Sequence, residues 1–397
     1  MKGYLKSKDS TECCGCSACV NICSKHSLTM QPDHEGFLYP VKDTTSCIDC
    51  GLCEKVCPFS DDYIFETTTN PQVFAAYDKQ HRTGSSSGGI FYTLAQYAIN
   101  EKKGWVFGAT FKDNFQLYHE GVNHLENLNK FRGSKYVQSN MGNTYRRIQE
   151  LLREGTFVLF VGTPCQVAGL KGFLRKDYDN LLLADLVCHG VPSQWLFDEH
   201  IKYLEQQHKA KLTSYKFRKE DGWSVSEIMD FENPKKHINF PSFQLSPYLY
   251  SFIKAMTYRE SCYKCKFAKI PRQGDITLAD YWGVKTFFPD IDTTKGVSLV
   301  LTNTKKGETV FHTISKECIV RKSNINDAVT YNGNLITHTN RPEIRTGLYE
   351  RIKQDGYAKV ARSSFRSKDF FIIYTKTKLI NIPIIKKLNR ILRHRNK

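Results

Sequence analysis

The sequence of 397 residues lacks any long apolar run and any compositional bias of the kind that prevents folding. No stretch approaches the roughly 18 uncharged apolar residues that a membrane span needs. The first residues also lack the apolar core of a secretory signal. With 40% hydrophobic and 24% charged residues, the chain is not of the disordered class. We therefore expect a cytoplasmic globular protein with about two or three domains.

Cysteine, in contrast, is abundant. A chain of this length does not need disulfides for stability, and most of its 14 cysteines lie in C-x-x-C spacing. Disulfide frameworks belong to small secreted domains, so metal binding is the better interpretation of these cysteines.

Two cysteine runs near the N terminus each follow the pattern C-x-x-C-x-x-C-x-x-x-C, over residues 13–23 and 47–57. In two-cluster ferredoxins, three cysteines of such a run hold one 4Fe-4S cluster and the fourth reaches the other cluster. The runs therefore predict two clusters. The expected ligands are Cys13, Cys16, Cys19 and Cys57 at the first cluster site, and Cys47, Cys50, Cys53 and Cys23 at the second cluster site.

Zinc ribbons are the alternative interpretation, but they have no use for a third cysteine at the same interval. Pro58 after the second run fits the bacterial ferredoxin pattern, whereas Ser24 occupies the equivalent position after the first run. Cys14 stands outside the pattern, because Cys13 alone keeps the interval of three to Cys16. We expect Cys14 to be structural.

Beyond the second run, short apolar segments alternate with amphipathic ones, which is typical of an α/β fold. Apolar runs at 156–162 and 181–187 predict two buried parallel strands. Helices are predicted at 142–154, 166–176 and 193–207. Ligands bind beyond the carboxyl ends of such strands, so residues that follow them are candidates for a site.

Four further cysteines could form one site. Cys165 and Cys188 each follow a predicted strand, and Cys262 and Cys265 form a later C-x-x-C pair. From spacing alone the alternative stays open that Cys165 and Cys188 are buried small apolar residues and that the pair binds zinc or has a redox role.

A glycine- and serine-rich loop, Gly84-Ser-Ser-Ser-Gly-Gly89, precedes an amphipathic run over 90–99. Glycines permit close backbone approach, and a helix N terminus offers amide groups to phosphate. The loop is a candidate anion cradle, although such loops also serve as plain turns.

These motifs and others, in this order, resemble the beta-subunit family of the coenzyme factor-420 hydrogenases and dehydrogenases, over most of residues 1–335. The motifs are Gly84-Ser-Ser-Ser-Gly-Gly89, Ser134-Lys-Tyr-Val-Gln-Ser139, Gly162-Thr-Pro-Cys-Gln166, Cys188-His-Gly-Val-Pro-Ser193, Cys262-Tyr-Lys-Cys265 with Asp275-Ile-Thr and Tyr281-Trp-Gly283, and Gly296-Val-Ser-Leu-Val300. Family members are flavoproteins, and some carry a two-cluster ferredoxin domain in front.

The resemblance implies an FAD in the body of the chain, with electrons passing between clusters and flavin and between flavin and a small-molecule substrate. It favours a third 4Fe-4S cluster on Cys165, Cys188, Cys262 and Cys265. The expected FAD contacts are Ser85, Ser86, Ser87, Gly88, Gly89, Lys135, Tyr136, Thr163 and Pro164. Lys135 could equally be a solvated surface charge. No catalytic residue is assigned, since His189 and Asp280 near these loops are more often structural.

The C-terminal tail is strongly basic. Residues 365–397 hold ten Lys/Arg against one acidic residue, which is +9 of the net +17. Ile384, Ile385, Leu388, Ile391 and Leu392 recur at helical spacing opposite the cations. This pattern predicts a basic amphipathic helix that contacts the inner membrane face or an acidic partner, or alternatively packs on the body. No nucleic-acid-binding module is recognisable.

The combined prediction is an α/β protein, α+β overall, in three parts. These are a ferredoxin-type two-cluster domain over 1–62, an α/β flavin-binding domain with a partly parallel sheet over 71–365, and a basic helical tail over 366–397. We expect an oxidoreductase acting on a deazaflavin coenzyme or another small metabolite, with surface-polysaccharide metabolism as one setting. Its expected partner is a redox protein such as a ferredoxin or a dehydrogenase subunit. The alternative is a ferredoxin-type electron-carrying subunit without a catalytic site of its own.

Overall fold

The computed structural model describes residues 3–61, 63, 70–220 and 222–380. The strands are β1 Leu28–Pro32, β2 Leu38–Lys42, β3 Gln72–Asp78, β4 Trp105–Phe111, β5 Leu117–Val122, β6 Val158–Gly162, β7 Leu181–Leu186, β8 Lys211–Arg218, β9 Val225–Glu232, β10 Lys236–Phe240, β11 Ile276–Asp280, β12 Ser298–Thr302 and β13 Cys318–Ser323. The α-helices are α1 Tyr4–Ser7, α2 Ala18–Ile22, α3 Leu52–Lys55, α4 Ile90–Gln96, α5 Thr144–Arg153, α6 Pro164–Leu174, α7 Gln194–His208, α8 Pro247–Ile253, α9 Val284–Phe287, α10 Lys305–Ile314, α11 Ile325–Tyr331, α12 Leu348–Asp355, α13 Tyr357–Ser363 and α14 Phe370–Ile380.

A mixed sheet of eight strands lies at the centre of the described residues, in the order β13-β3-β12-β11-β7-β6-β4-β5. Strands β4, β6, β7 and β11 run parallel to one another, and the flanking strands pair antiparallel. Every residue of β6 is buried, as are all residues of β7 except the last. The predicted α/β class with a partly parallel sheet is confirmed, including the two parallel strands expected from their apolar runs.

Helix α6 begins two residues before its predicted start. Thr163 is its N-cap and forms a capping box with Gln166, and Pro164 takes the first helical position, where a missing N–H costs nothing. Cys165 therefore lies on the first turn of a helix and not in the preceding loop. The other two predicted helices correspond to α5 and α7, within a few residues at each end.

A separate three-stranded sheet, in the order β10-β9-β8, was not predicted. Its inner face forms one core with α7, α8, α12 and α13. The N-terminal hairpin of β1 and β2 contributes Phe37 and Tyr39 to the same core. A second core packs Cys14, Cys16, Val56 and Phe59 against α5 and α6. The N-terminal segment therefore packs closely on the body, and the predicted domain boundaries stay predictions.

At the C-terminal end, α14 covers residues 370–380, and the predicted amphipathic helix at 384–397 lies outside the described residues. Among the residues that the structure describes, no helix is long and apolar enough to cross a membrane.

Candidate metal centres and cofactor site

The thiols predicted for the first cluster site line one cavity. Cys13, Cys16, Cys19 and Cys57 all line this cavity, which lies between the first cysteine run and the end of α3. Gly15 has a φ of +68°, and a Cβ there would lie 2.7 Å from Nε2 of Gln138, so the loop can turn only with glycine. The chain thus brings the fourth cysteine of the second run to the first set, as the crossing pattern predicts.

Charge at this cavity favours a cationic occupant. Burial raises the pKa of the Cys19 thiol, and the neighbouring Cys13 and Cys57 thiols raise it further. Burial also raises the pKa of Cys57 to about 11. Several thiolates cannot lie together in a buried cavity without a positive charge between them, which an iron–sulfur core supplies. The donor set therefore fits a cluster.

The second cluster site is nearer to solvent. Cys47 and Cys50 lie on the loop that enters α3, Cys53 lies on α3 itself, and Cys50 is exposed. Cys23 is the C-cap of α2, where Arg146 donates a hydrogen bond of 2.9 Å to its carbonyl oxygen. Cys53 also lines the cavity of the first site. The two predicted sites are therefore neighbours, as the sharing of ligands between the two runs requires.

Four thiols of the body converge on a third site. Cys165 comes from the first turn of α6, Cys188 follows β7, and Cys262 and Cys265 bracket a turn before β11. Each thiol lies close enough to the others in the set to affect their ionisation. Burial raises the pKa of Cys188 to about 12 and that of Cys265 to about 11. The structure thus joins residues that are far apart in sequence, and a cluster on them stays a prediction.

A tetrahedral zinc site requires its ligand atoms to lie close together. Tetrahedral zinc with Zn–S bonds of about 2.3 Å places its sulfur ligands about 3.8 Å apart. Within the described part of the chain, the group of three metal-binding side chains with ligand atoms all within 4.8 Å is His34, Glu35 and Glu350, and it contains no cysteine. Glu35 in that group already pairs with Arg345. In a cubane, by contrast, each thiolate binds a different iron, so the thiolates lie farther apart than in a zinc site.

A buried carboxylate holds the loop that carries two thiols of the third site. Asp185 on β7 accepts hydrogen bonds from the amides of Gln273 and Gly274 and from the hydroxyl of Thr277. Arg272 lies 3.4 Å from the same carboxylate and donates to the carbonyl oxygen of Leu186. This network fixes the segment after Cys265 against the carboxyl end of β7.

The serine loop at 84–89 is held mainly by hydrogen bonds to other parts of the protein. The hydroxyl of Ser86 accepts from the amide of Ser134 at 2.6 Å, and that of Ser87 donates to the carbonyl of Val297. The amide of Gly88 donates to the hydroxyl of Ser298. A Cβ on Gly88 would lie 2.3 Å from the carbonyl oxygen of Ala76. Packing on β3 and β12 therefore explains Gly88 without any ligand.

Two arginines that the sequence analysis missed converge on this loop. Arg132 donates to the carbonyl oxygen of His81 at 2.6 Å and to the hydroxyl of Ser85 at 3.2 Å. Arg218 donates to the carbonyl oxygen of Ser86 at 2.7 Å. Nε of each guanidinium is buried without a hydrogen-bond partner among the described residues. Guanidinium groups that are incompletely paired beside a serine loop fit an anionic group such as a pyrophosphate.

Arg218 is also the centre of an aromatic and acidic cluster. It donates to Asp280 at 2.8 Å and to the Tyr136 hydroxyl at 3.1 Å. Nε1 of Trp223 donates to the same carboxylate at 2.7 Å, and the Trp223 ring stacks on Trp282 with centroids 4.9 Å apart. The cluster lies at the carboxyl end of β11, where ligands of such sheets bind. The half-buried indole pair could support a planar ring.

The remaining residues predicted to contact FAD lie in two different places. Nζ of Lys135 donates to three carbonyl oxygens of residues 131–133, and burial lowers its pKa to about 7, so a solvated surface charge does not describe it. Tyr136 contacts Arg218, within the cluster at the loop. Thr163 instead caps α6, with its hydroxyl 3.2 Å from Sγ of Cys165. Thr163 and Pro164 are therefore next to the third thiol set.

His189 follows Cys188 and has Asp280 nearby. Burial lowers the pKa of His189, and the Asp280 carboxylate partly opposes this shift. The backbone carbonyl of His189 accepts from the Thr339 hydroxyl at 2.8 Å. Since Asp280 already pairs with Arg218 and Trp223, its observed contacts give it a structural role.

Two stretches of the chain match models of known protein families. Residues 155–328 match the family model for the C-terminal part of the beta subunit of coenzyme F420 hydrogenase/dehydrogenase, and residues 12–60 match the 4Fe-4S dicluster domain. A chain of the F420-reducing NiFe hydrogenase complex from Methanosarcina barkeri, solved with xenon derivatization, is 16% identical, with 76% of this chain and 94% of that chain covered and a TM-score of 0.44. No curated protein matches the chain. The family resemblance and the iron–sulfur domain are thereby confirmed.

Proposed function

We propose that this iron–sulfur protein, whose residues 155–328 belong to the coenzyme F420 hydrogenase/dehydrogenase beta-subunit family, is a flavin-dependent oxidoreductase. It would exchange electrons between three 4Fe-4S clusters and a bound FAD. Its substrate would be a deazaflavin coenzyme or another small redox-active metabolite, and its partner a redox protein. A flavin supplies the link between one-electron clusters and two-electron metabolites.

The observation that carries this proposal is the convergence of four half-buried cysteines beside the carboxyl ends of β6 and β7. An electron-carrying ferredoxin domain needs no further ligand set in its body. His189, which follows Cys188 of the third set, lies near enough to Asp280 for their charges to interact, so the third set would give electrons a path toward the residues around Arg218.

Different residues of the chain would bind different parts of the FAD. Arg132 and Arg218 would bind the anionic pyrophosphate of FAD at the serine loop. The stacked indoles of Trp223 and Trp282 would pack against its planar ring. Asp280 would keep Arg218 in place through the hydrogen bonds described above. None of these side chains needs to transfer a proton for the flavin to bind.

A second candidate function is an electron-carrying subunit whose catalytic site lies in a partner chain. One observation favours it: the hydroxyls of Ser86 and Ser87 and the amide of Gly88 are already used in bonds within the protein. A loop that satisfies its own polar groups does not require a cofactor.

Cofactor analysis of anaerobically purified protein distinguishes the two candidates. We expect about twelve irons, about twelve sulfides and about one FAD per chain. About eight irons without flavin would instead support the electron-carrying subunit.

Variants localise the cofactors in the same assay. Cys265→Ser is expected to lower the iron content by about four and Arg218→Gln to lower the flavin content at full iron. The matched controls are Cys318→Ser, at a buried cysteine outside all three sets, and Arg321→Gln, at an arginine exposed on β13. Full iron in Cys265→Ser would contradict the third site, and unchanged flavin in Arg218→Gln would contradict the flavin site.

A further inference from the structure

We propose that the first cluster site lies between the other two, so that the second site is the one where an external redox partner exchanges electrons. The inference rests on the third cluster of the proposed function, but it concerns how the chain arranges its own thiols. It assigns α6 and the extra cysteine, Cys14, to the junction between the first and third sites.

Helix α6 forms the first part of this junction. Cys165, Gly169 and Gly172 follow at intervals of four and three residues, so they share one face of the helix. A Cβ on Gly169 would lie 2.8 Å from Sγ of Cys16, and a Cβ on Gly172 would lie 2.3 Å from the carbonyl oxygen of Val56. The glycines thus let the cluster-binding segment pack directly on the helix that carries Cys165.

The separation along the helix is short. Four residues of an α-helix rise by about 6 Å, so the place where Cys16 contacts α6 is about one helical turn from Cys165. Since Cys16 belongs to the first set and Cys165 to the third, the two sites are separated by no more than adjacent side chains.

Cys14 lies next to one thiol of each of these two sites. Its side chain is buried, and its thiol lies beside the thiols of Cys16 and Cys165. Gln138 donates a hydrogen bond of 2.8 Å to its carbonyl oxygen, which fixes the backbone on the side of the body. The cysteine that the ferredoxin pattern leaves unexplained therefore contacts one ligand of each site.

Arg259 also connects the first and third sites through hydrogen bonds. It is fully buried, and it donates to the carbonyl oxygens of Cys13 at 2.6 Å and Leu38 at 3.0 Å. Arg259 stands three residues before Cys262, so a single side chain ties the backbone of the first set to the loop of the third.

The second site adjoins the first. Cys53 lines the cavity of the first site, and Cys19 is near enough to Cys53 for their charges to interact. Cys50 is exposed, and the neighbouring Ile48 is 61% exposed. Clusters held by the three thiol sets would pass single electrons from the second set to the first and then to the third, each being oxidised as its neighbour is reduced. No proton or bond changes in these steps.

Electron paramagnetic resonance of the fully reduced holoprotein tests this order, because reduced clusters that are neighbours split or broaden each other's signals. In Cys50→Ser, which removes an exposed ligand of the second site, we expect splitting between the two remaining clusters. In Cys265→Ser, which removes the third site, we also expect splitting. Two isolated signals in Cys50→Ser, with splitting retained in the wild type, would overturn the proposal.

A second measurement removes no ligand. Hydrogen bonds and packing at the cluster sulfurs set reduction potentials, so Cys14→Ala is expected to shift the potentials of two clusters, the first and the third, at full iron content. Cys318→Ala is the matched control and should shift none. A shift of the second cluster alone, or of none, would overturn the role of Cys14. Wild-type protein with about eight irons would instead signal failure of the proposed function, since the third cluster would be missing.

Discussion

His119 illustrates how a buried polar residue can fix a helix that carries a metal ligand. Its Nε2 lies 3.1 Å from the carbonyl oxygen of Val161, so this nitrogen carries the proton, and its Nδ1 accepts from the Ser139 hydroxyl at 2.8 Å. Ser139 in turn accepts from Nε2 of Gln166. The chain of bonds links β5, β6 and the first turn of α6, where Cys165 lies.

This histidine predicts a dependence of stability on pH. Burial lowers the pKa of His119 from 6.5 to about 4, so the unfolded chain binds a proton that the folded chain does not between these values. Stability is therefore fully present above about pH 6.5 and falls toward pH 4, by at most about 3 kcal/mol. We expect the melting temperature to drop less between about pH 7 and about pH 5 in His119→Gln than in the wild type.

The control for this prediction is the exposed His312, whose replacement by glutamine should leave the pH dependence of the melting temperature unchanged. All scans use one heating rate, because cluster loss makes unfolding irreversible. Parallel curves for the wild type and His119→Gln would show that His119 does not titrate as its burial implies.

At the scale of elements, a glycine of α6 is expected to respond to replacement by alanine in the opposite way to most helical glycines. Replacing a helical glycine by alanine normally stabilises a helix by about 1 kcal/mol. In Gly172→Ala the new Cβ would meet the Val56 carbonyl oxygen at 2.3 Å, so α3 would have to move. We expect a lower melting temperature and loss of part of the about eight irons of the N-terminal domain.

Gly333→Ala is the matched control, because no atom lies within 4 Å of the added Cβ and the backbone φ is ordinary. It should keep both the iron content and the melting temperature. If Gly172→Ala kept full iron and melted at a higher temperature than the wild type, the packing of α3 on α6 would be wrong.

Elements defined by local pattern were predictable, and those defined by distant partners were not. The apolar runs of β6 and β7 predicted two parallel strands, which the register between Val158 and Leu181 confirms. The sheet of β8, β9 and β10 depends on its packing against α7 and α12, which no local pattern reveals. The amphipathic run over 90–99 likewise does not reveal that α4 ends at Gln96 and continues as a π-helical turn over Tyr97–Glu101.

The same distinction applies to the sites. The thiol sets could be proposed because C-x-x-C spacing is a local signal that few other structures share. Arg218 could not be found, because it acts through Asp280, 62 residues later in the chain. Arg132 was within reach of sequence reasoning, since it lies three residues before Lys135 in the same motif region.

At the scale of the whole molecule, a buried ion pair joins the N-terminal hairpin to the last helices. Nη1 of Arg345 donates to Oε1 of Glu35 at 2.7 Å, and Nε donates to the carbonyl oxygen of Tyr258 at 3.0 Å. The two paired residues are 310 positions apart. Since Tyr258 precedes Arg259, this clamp and the junction between the first and third sites share one segment of backbone.

Replacing only one residue of the Glu35–Arg345 ion pair should lower the stability more than replacing both. Arg345→Gln leaves the Glu35 carboxylate buried without its partner, and such a loss costs about 3–5 kcal/mol. In the double variant with Glu35→Gln no charge is buried, so much of this stability should return. We expect the melting temperature and the iron content to be lowest in Arg345→Gln and intermediate in the double variant.

The exposed pair of Lys359 and Asp355 is the control, where Lys359→Gln should lower the stability by only about 0–1 kcal/mol. A double variant that melts no higher than Arg345→Gln would mean that the clamp acts through the bonds of Arg345 to Tyr258, and not through the buried charge of Glu35.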